Sequence, residues 1–63
     1  MSTEEVLKAL ERYTMESAET DRQTATQLGV TEEILVNWLR GAAQPERWML
    51  ARLAGFLRRV GYI

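Results

Sequence analysis

Thr31, Glu32, Glu33, Val36, Asn37 and Arg40 lie within ten consecutive residues. On a helix with Leu35 and Trp38 turned inward, they share the outer face. These residue types can address nucleobase edges. Asn pairs bidentately with adenine, Glu accepts from the cytosine amino group, and Val methyls meet the thymine methyl. Glu32 and Glu33 also have a purely structural account, because negative charge in a first helical turn suits the helix dipole. Arg40 and Arg47 flank the loop that follows and can clamp a phosphate backbone through charge, independent of sequence. Other chemistries find little support. The chain has no Cys and no His, so it lacks a thiol nucleophile, an imidazole base and an ordinary zinc site. Its carboxylates fall on exposed helical faces without a nucleophile-base set. No enzyme activity, cofactor, metal or small-molecule ligand is expected.

The elements that must hold this face can be read from their ends. Ser2 with Glu5 is a capping box, so a first helix starts at about Thr3. Val6, Leu7, Leu10 and Tyr13 give it an apolar stripe, continued less cleanly by Met15 and Ala18. Residues 17–21 read as a connection, and Thr20 with Gln23 is a second capping box that starts a helix near Asp21. That helix ends at Leu28, where Gly29 supplies the left-handed residue a C-terminus wants. Thr31 caps a third helix from about Glu32 to Arg40, and Gly41 ends it. Ala25, Leu28, Val30, Leu35 and Trp38 face inward, with Ala25 small enough for close helix crossing.

After a loop at residues 42–44, with room for a fifth short turn, Pro45 suits the first position of a last helix. That helix runs from Glu46 to about Val60, with Met49, Leu50, Leu53, Ala54, Phe56, Leu57 and Val60 at helical spacing and Gly61 as its stop. Gly55 inside it suggests close contact with a neighbouring helix or a second subunit. Trp38 is expected in the core, and Trp48 at the core edge or an interface. No strand alternation, repeat or linker interrupts the pattern, so one all-α domain over residues 1–63 is expected, small enough to need good packing or oligomerisation.

The net charge is −1. Residues 1–39 carry three basic against eight acidic side chains, a balance of −5, whereas residues 40–63 carry five against one, a balance of +4. Such asymmetry allows a basic face on an acidic chain. Arg52, Arg58 and Arg59 read as a solvated helix face. The acidic start 2–5, the absence of an apolar run of about 20 residues and the absence of Cys point to a cytoplasmic protein without a membrane segment.

Residues 20–60 resemble the helix-turn-helix of the lambda-repressor/Cro-like (XRE) family of bacterial and phage regulators. Ala25, Gly29, Leu35 and Trp38 stand at its spacing, Gly41 and Pro45 match its following loop, and Leu50, Leu53, Ala54 and Leu57 match its last core helix. Asp21 and Thr24 depart from it, where the family usually has Gln and Leu. The resemblance implies a compact four- to five-helix lambda-repressor-like DNA-binding domain. Its third helix, about residues 31–40, would enter the major groove of double-stranded DNA. Thr31, Glu32, Glu33, Val36 and Asn37 would then contact bases, and Arg22, Gln23, Arg40 and Arg47 phosphates. The implied function is a transcriptional regulator, repressor in type. A half-site reader gains affinity and specificity by dimerising, and the apolar chain end suggests a homodimer through Phe56, Val60, Tyr62 and Ile63, with a docked tail as the other account. An alternative is a protein-interaction module on the same fold that does not bind DNA.

Overall fold

The computed structural model describes residues 2–63. Among them are four helices and no strand: α1 (Thr3–Glu16), α2 (Asp21–Leu28), α3 (Glu32–Leu39) and α4 (Arg47–Arg59). The first three start where the caps require. The Ser2 and Thr20 side chains accept from the backbone N–H of Glu5 and Gln23, and both capping boxes close reciprocally. Thr31 accepts from the N–H of Ile34 at 3.2 Å. The start of α4 differs from expectation: Pro45 is buried but lies outside the helix, Glu46 takes the cap position, and no side chain bonds the first-turn amides. Residues 42–44 form no fifth helical turn.

The α2 C-terminus closes on Gly29 at φ +78°, with the N–H of Gly29 donating to Thr26 and that of Val30 to Ala25. This double bond satisfies carbonyls that the helix end leaves free. Three residues therefore suffice to turn the chain into α3. The same pattern ends α3, where Gly41 at φ +76° donates to Trp38 and Ala42 to Asn37.

The core lies where α1 packs on α4 and α3, and α2 on α3 and α4. Val6, Leu10, Ala25, Leu28, Leu35, Trp38, Met49, Leu53, Phe56 and Leu57 are buried, with Leu7, Val30, Leu50 and Ala54 against them. The expected stripe of α1 stops at Tyr13: Met15 is 77% exposed and Ala18 is exposed. Gly55 is also not a close approach within the chain, since a Cβ built there meets nothing within 4 Å.

Glu19 joins the α1–α2 connection to both helices, accepting from the Tyr13 hydroxyl and from the Gln27 amide. The bond to Glu19, with burial adding to it, pushes the Tyr13 phenol above its ordinary pKa of 10. Neutral Tyr13 is therefore favoured by folding, and its stabilising contribution holds below that value and fades as pH rises through the raised one.

Thr24 is fully buried, and its hydroxyl has no hydrogen-bond partner. An unpaired buried hydroxyl costs roughly 1–3 kcal/mol. Thr24→Val, which keeps the branching and removes the polar atom, is expected to raise the unfolding free energy by about 1 kcal/mol. A chemical-denaturation series of the two chains checks it; an unchanged or lower midpoint would mean the hydroxyl is satisfied in solution.

Candidate functional site

Each candidate residue holds its place through local backbone bonding. The α3 outer face is exposed at Thr31, Glu32 and Glu33 and half-buried at Val36 and Asn37, while its inner face is carried by Leu35 at 0% and Trp38 at 6% exposure. Arg40, just past the last turn, is exposed. Seven residues is nearly two helical turns, so Glu33 and Arg40 lie on one line along α3, with Val36 and Asn37 on either side. The Asn37 carbonyl accepts from the Ala42 and Ala43 amides at 2.9 and 3.2 Å. Asn37, half-buried on the outer face of α3, therefore also anchors the loop leading to Arg47.

Arg22 and Gln23 are exposed in the first turn of α2. The Gln23 side-chain oxygen accepts from the Thr20 N–H at 2.9 Å, leaving its amide NH2 free to donate to an external acceptor. Arg47 opens α4 and is exposed. No side chain caps α4, so the first-turn amides beside Arg47 make no side-chain bond. Among the described residues, the ion pairs within 4 Å are Lys8–Glu4 and Arg12–Glu16. Arg22, Arg40, Arg47, Arg52, Arg58 and Arg59 thus have no carboxylate at pairing distance. Glu32 and Glu33, in the first turn of α3, likewise have no Lys or Arg at pairing distance among the described residues.

The four C-terminal residues expected at a dimer contact separate into two groups. Phe56 is a core residue, 4% exposed, with its ring edge-on to Tyr13 at 5.2 Å. It has almost no surface to offer a partner. Tyr62 is docked on its own chain: its ring is edge-on to Tyr13 at 5.5 Å, its hydroxyl donates to Glu16 at 2.7 Å, and the Arg12 guanidinium lies 5.7 Å over the ring. The Glu16 bond raises the Tyr62 pKa. Val60 and Ile63 remain, 38% and 40% exposed. The apolar chain end is thus largely a docked tail.

Two features escape a reading of the sequence. Arg52 is not simply a solvated side chain, because its guanidinium lies over the α2–α3 turn: a Cβ added to Gly29 would sit 3.2 Å from Nη2. Its charge there suits the negative end of α2. The second is a groove between α3 and the start of α4, into which Ile34 and Trp48 project partly exposed. As an aromatic near the start of the last helix, Trp48 reads as a core-edge or interface residue; nothing in the pattern distinguishes Ile34. Among the described residues, no helix is long and apolar enough to cross a membrane, and no group of His, Cys, Asp and Glu could hold a metal ion. No protein-family model, curated protein or solved structure gives a significant match to this chain.

Proposed function

We propose that this chain is a sequence-specific double-stranded DNA-binding regulator of prokaryotic or phage type, a repressor that occupies its operator as a dimer with α3 in the major groove. The observation that carries the reading is the α2–Gly29–α3 unit. It buries Leu35 and Trp38 on one face of α3 and leaves Thr31, Glu32 and Glu33 exposed, with Arg40, exposed just past the end of the helix, free of any carboxylate partner among the described residues. Thr31, Glu32, Glu33, Val36 and Asn37 are the proposed base contacts, and Arg22, Gln23, Arg40 and Arg47 the proposed phosphate contacts. A dimer formed through the chain end would use Val60 and Ile63, because Phe56 and Tyr62 are engaged within the chain.

Anisotropy of a labelled random-sequence duplex at two salt concentrations tests the reading. Three arginine–phosphate contacts per chain give a log–log salt slope of about −2.7, so a fourfold rise in salt should weaken binding roughly fortyfold. Arg40→Ala should weaken binding to all sequences alike and make the slope shallower by about 0.9. Absence of binding at low salt would overturn the reading. It would favour a protein-interaction module on the same scaffold, for which the exposed and unpaired Glu32 and Glu33 are the specific support.

A further inference from the structure

The first turn of α4 and the N-terminal half of α3 border an open groove of about 610 Å³. Val30, Ile34, Trp38, Pro45, Trp48 and Met49 form its apolar walls. Trp38 and Met49 are buried at 6% and 3% exposure, whereas Ile34 and Trp48 remain 41% and 64% exposed. One charged residue lines the groove: Glu46, whose carboxylate accepts the indole N–H of Trp48 at 2.7 Å. No Lys or Arg stands within ion-pairing distance of Glu46 among the described residues. A carboxylate has about four acceptor sites, so the bond to Trp48 leaves most of that capacity and the whole charge available.

The groove therefore combines an exposed indole, a carboxylate tethered to it and apolar walls. Indole faces attract cations, more strongly once both are partly removed from water. A carboxylate beside the ring adds direct Coulomb attraction and discriminates against anions. Apolar walls stabilise organic substituents by removing them from water. The volume lies within the roughly 300–1,000 Å³ of small-molecule sites, and a few polar groups among apolar ones is their usual composition.

We propose that this groove binds a small apolar organic cation, an ammonium or phosphonium bearing aromatic or branched alkyl groups, against Trp48 with Glu46 as counter-ion. Charge complementarity selects this occupant: Glu46 is the one charged residue of the lining, and the Arg52 guanidinium, which lies over Gly29, is not part of it. Neither Glu46 nor Trp48 belongs to the residues assigned to DNA, so the site stands or falls independently of that reading. Because Thr31, Ile34 and Trp38 form its α3 side, an occupant would touch the helix proposed to read bases.

Tetraphenylphosphonium, titrated into the full chain by calorimetry, is the probe, with tetraphenylborate as a control of the same shape and opposite charge. The cation should bind saturably at one site per chain, and the anion at least about tenfold more weakly. Glu46→Gln should weaken the cation about fivefold and bring the two ions close to equal affinity. Trp48→Phe should weaken it a few-fold and Trp48→Ala about tenfold or more. Both side chains are exposed, so these variants should keep the wild-type circular dichroism; if Trp48→Ala does not, Trp48→Phe and Glu46→Gln decide. Equal binding of the two ions, no saturable binding, or affinities unchanged in the variants would overturn the proposal.

Discussion

Leu35→Ala is expected to abolish cooperative folding, or to leave so little stability that the chain is substantially unfolded at room temperature. Leu35 has no exposed surface and lies in the single buried cluster that joins the helices. Truncating a fully buried Leu costs about 2–5 kcal/mol, through lost burial and the cavity left behind. Domains hold only roughly 0.05–0.15 kcal/mol of stability per residue, and this chain has 63 residues, so the loss is comparable with the whole. The neighbouring Ile34 supplies the control. It is 41% exposed on the same helix, and Ile34→Ala should cost about 1 kcal/mol or less. Urea denaturation of both variants, followed by circular dichroism, checks the pair. Equal losses would mean that α3 does not present Leu35 to the core and Ile34 to the groove.

The second large effect is expected at Gly29. Its φ of +78° is a conformation that L residues adopt at a cost of roughly 1–2 kcal/mol. Gly29→Ala therefore loses about that much, and adds a Cβ 3.2 Å from the Arg52 guanidinium. Gly41 separates the two contributions. It has nearly the same φ, +76°, but a Cβ there meets nothing within 4 Å. Gly41→Ala should thus report the backbone cost alone, and the extra loss in Gly29→Ala the displacement of Arg52. Because the guanidinium is the far end of a flexible side chain, the extra loss should be small, under about 1 kcal/mol. Combining Gly29→Ala with Arg52→Ala closes a double-mutant cycle. A coupling above that size would show Arg52 to be held rigidly over the turn; no loss at either glycine would contradict the left-handed ends of α2 and α3.

Both effects bear on the proposed function. The Gly29 turn sets how α3 leaves α2, and Leu35 keeps its opposite face outward. Variants at either position should be compared in DNA binding only after their folded fraction is known.

What could be read from the chain alone was local. Ser2 with Glu5, Thr20 with Gln23, Thr31, Gly29 and Gly41 place helix ends through bonds that close within three to five residues, and all five act as read. The period of apolar residues likewise placed Ala25, Leu28, Leu35, Trp38, Leu53 and Leu57 in the core. The outer face of α3 follows from the same period, because a helix that buries one side must expose the other.

Tertiary packing decided the remainder. Periodicity assigns Phe56 and Val60 to one stripe, yet only the arrival of Tyr13 from α1 makes Phe56 core and leaves Val60 at its edge. Tyr62 docks because Tyr13, Glu16 and Arg12, some fifty residues away in sequence, present a ring, a carboxylate and a guanidinium where the chain end returns. Arg52 meets the Gly29 turn, and Trp48 meets the α3 groove, for the same reason: the angle between α4 and the α2–α3 pair sets those contacts. Side-chain caps act over a few bonds and are written in neighbouring residues. Which exposed stripe becomes a floor, a groove or an open face depends on helix crossing, and that is a property of the assembled core.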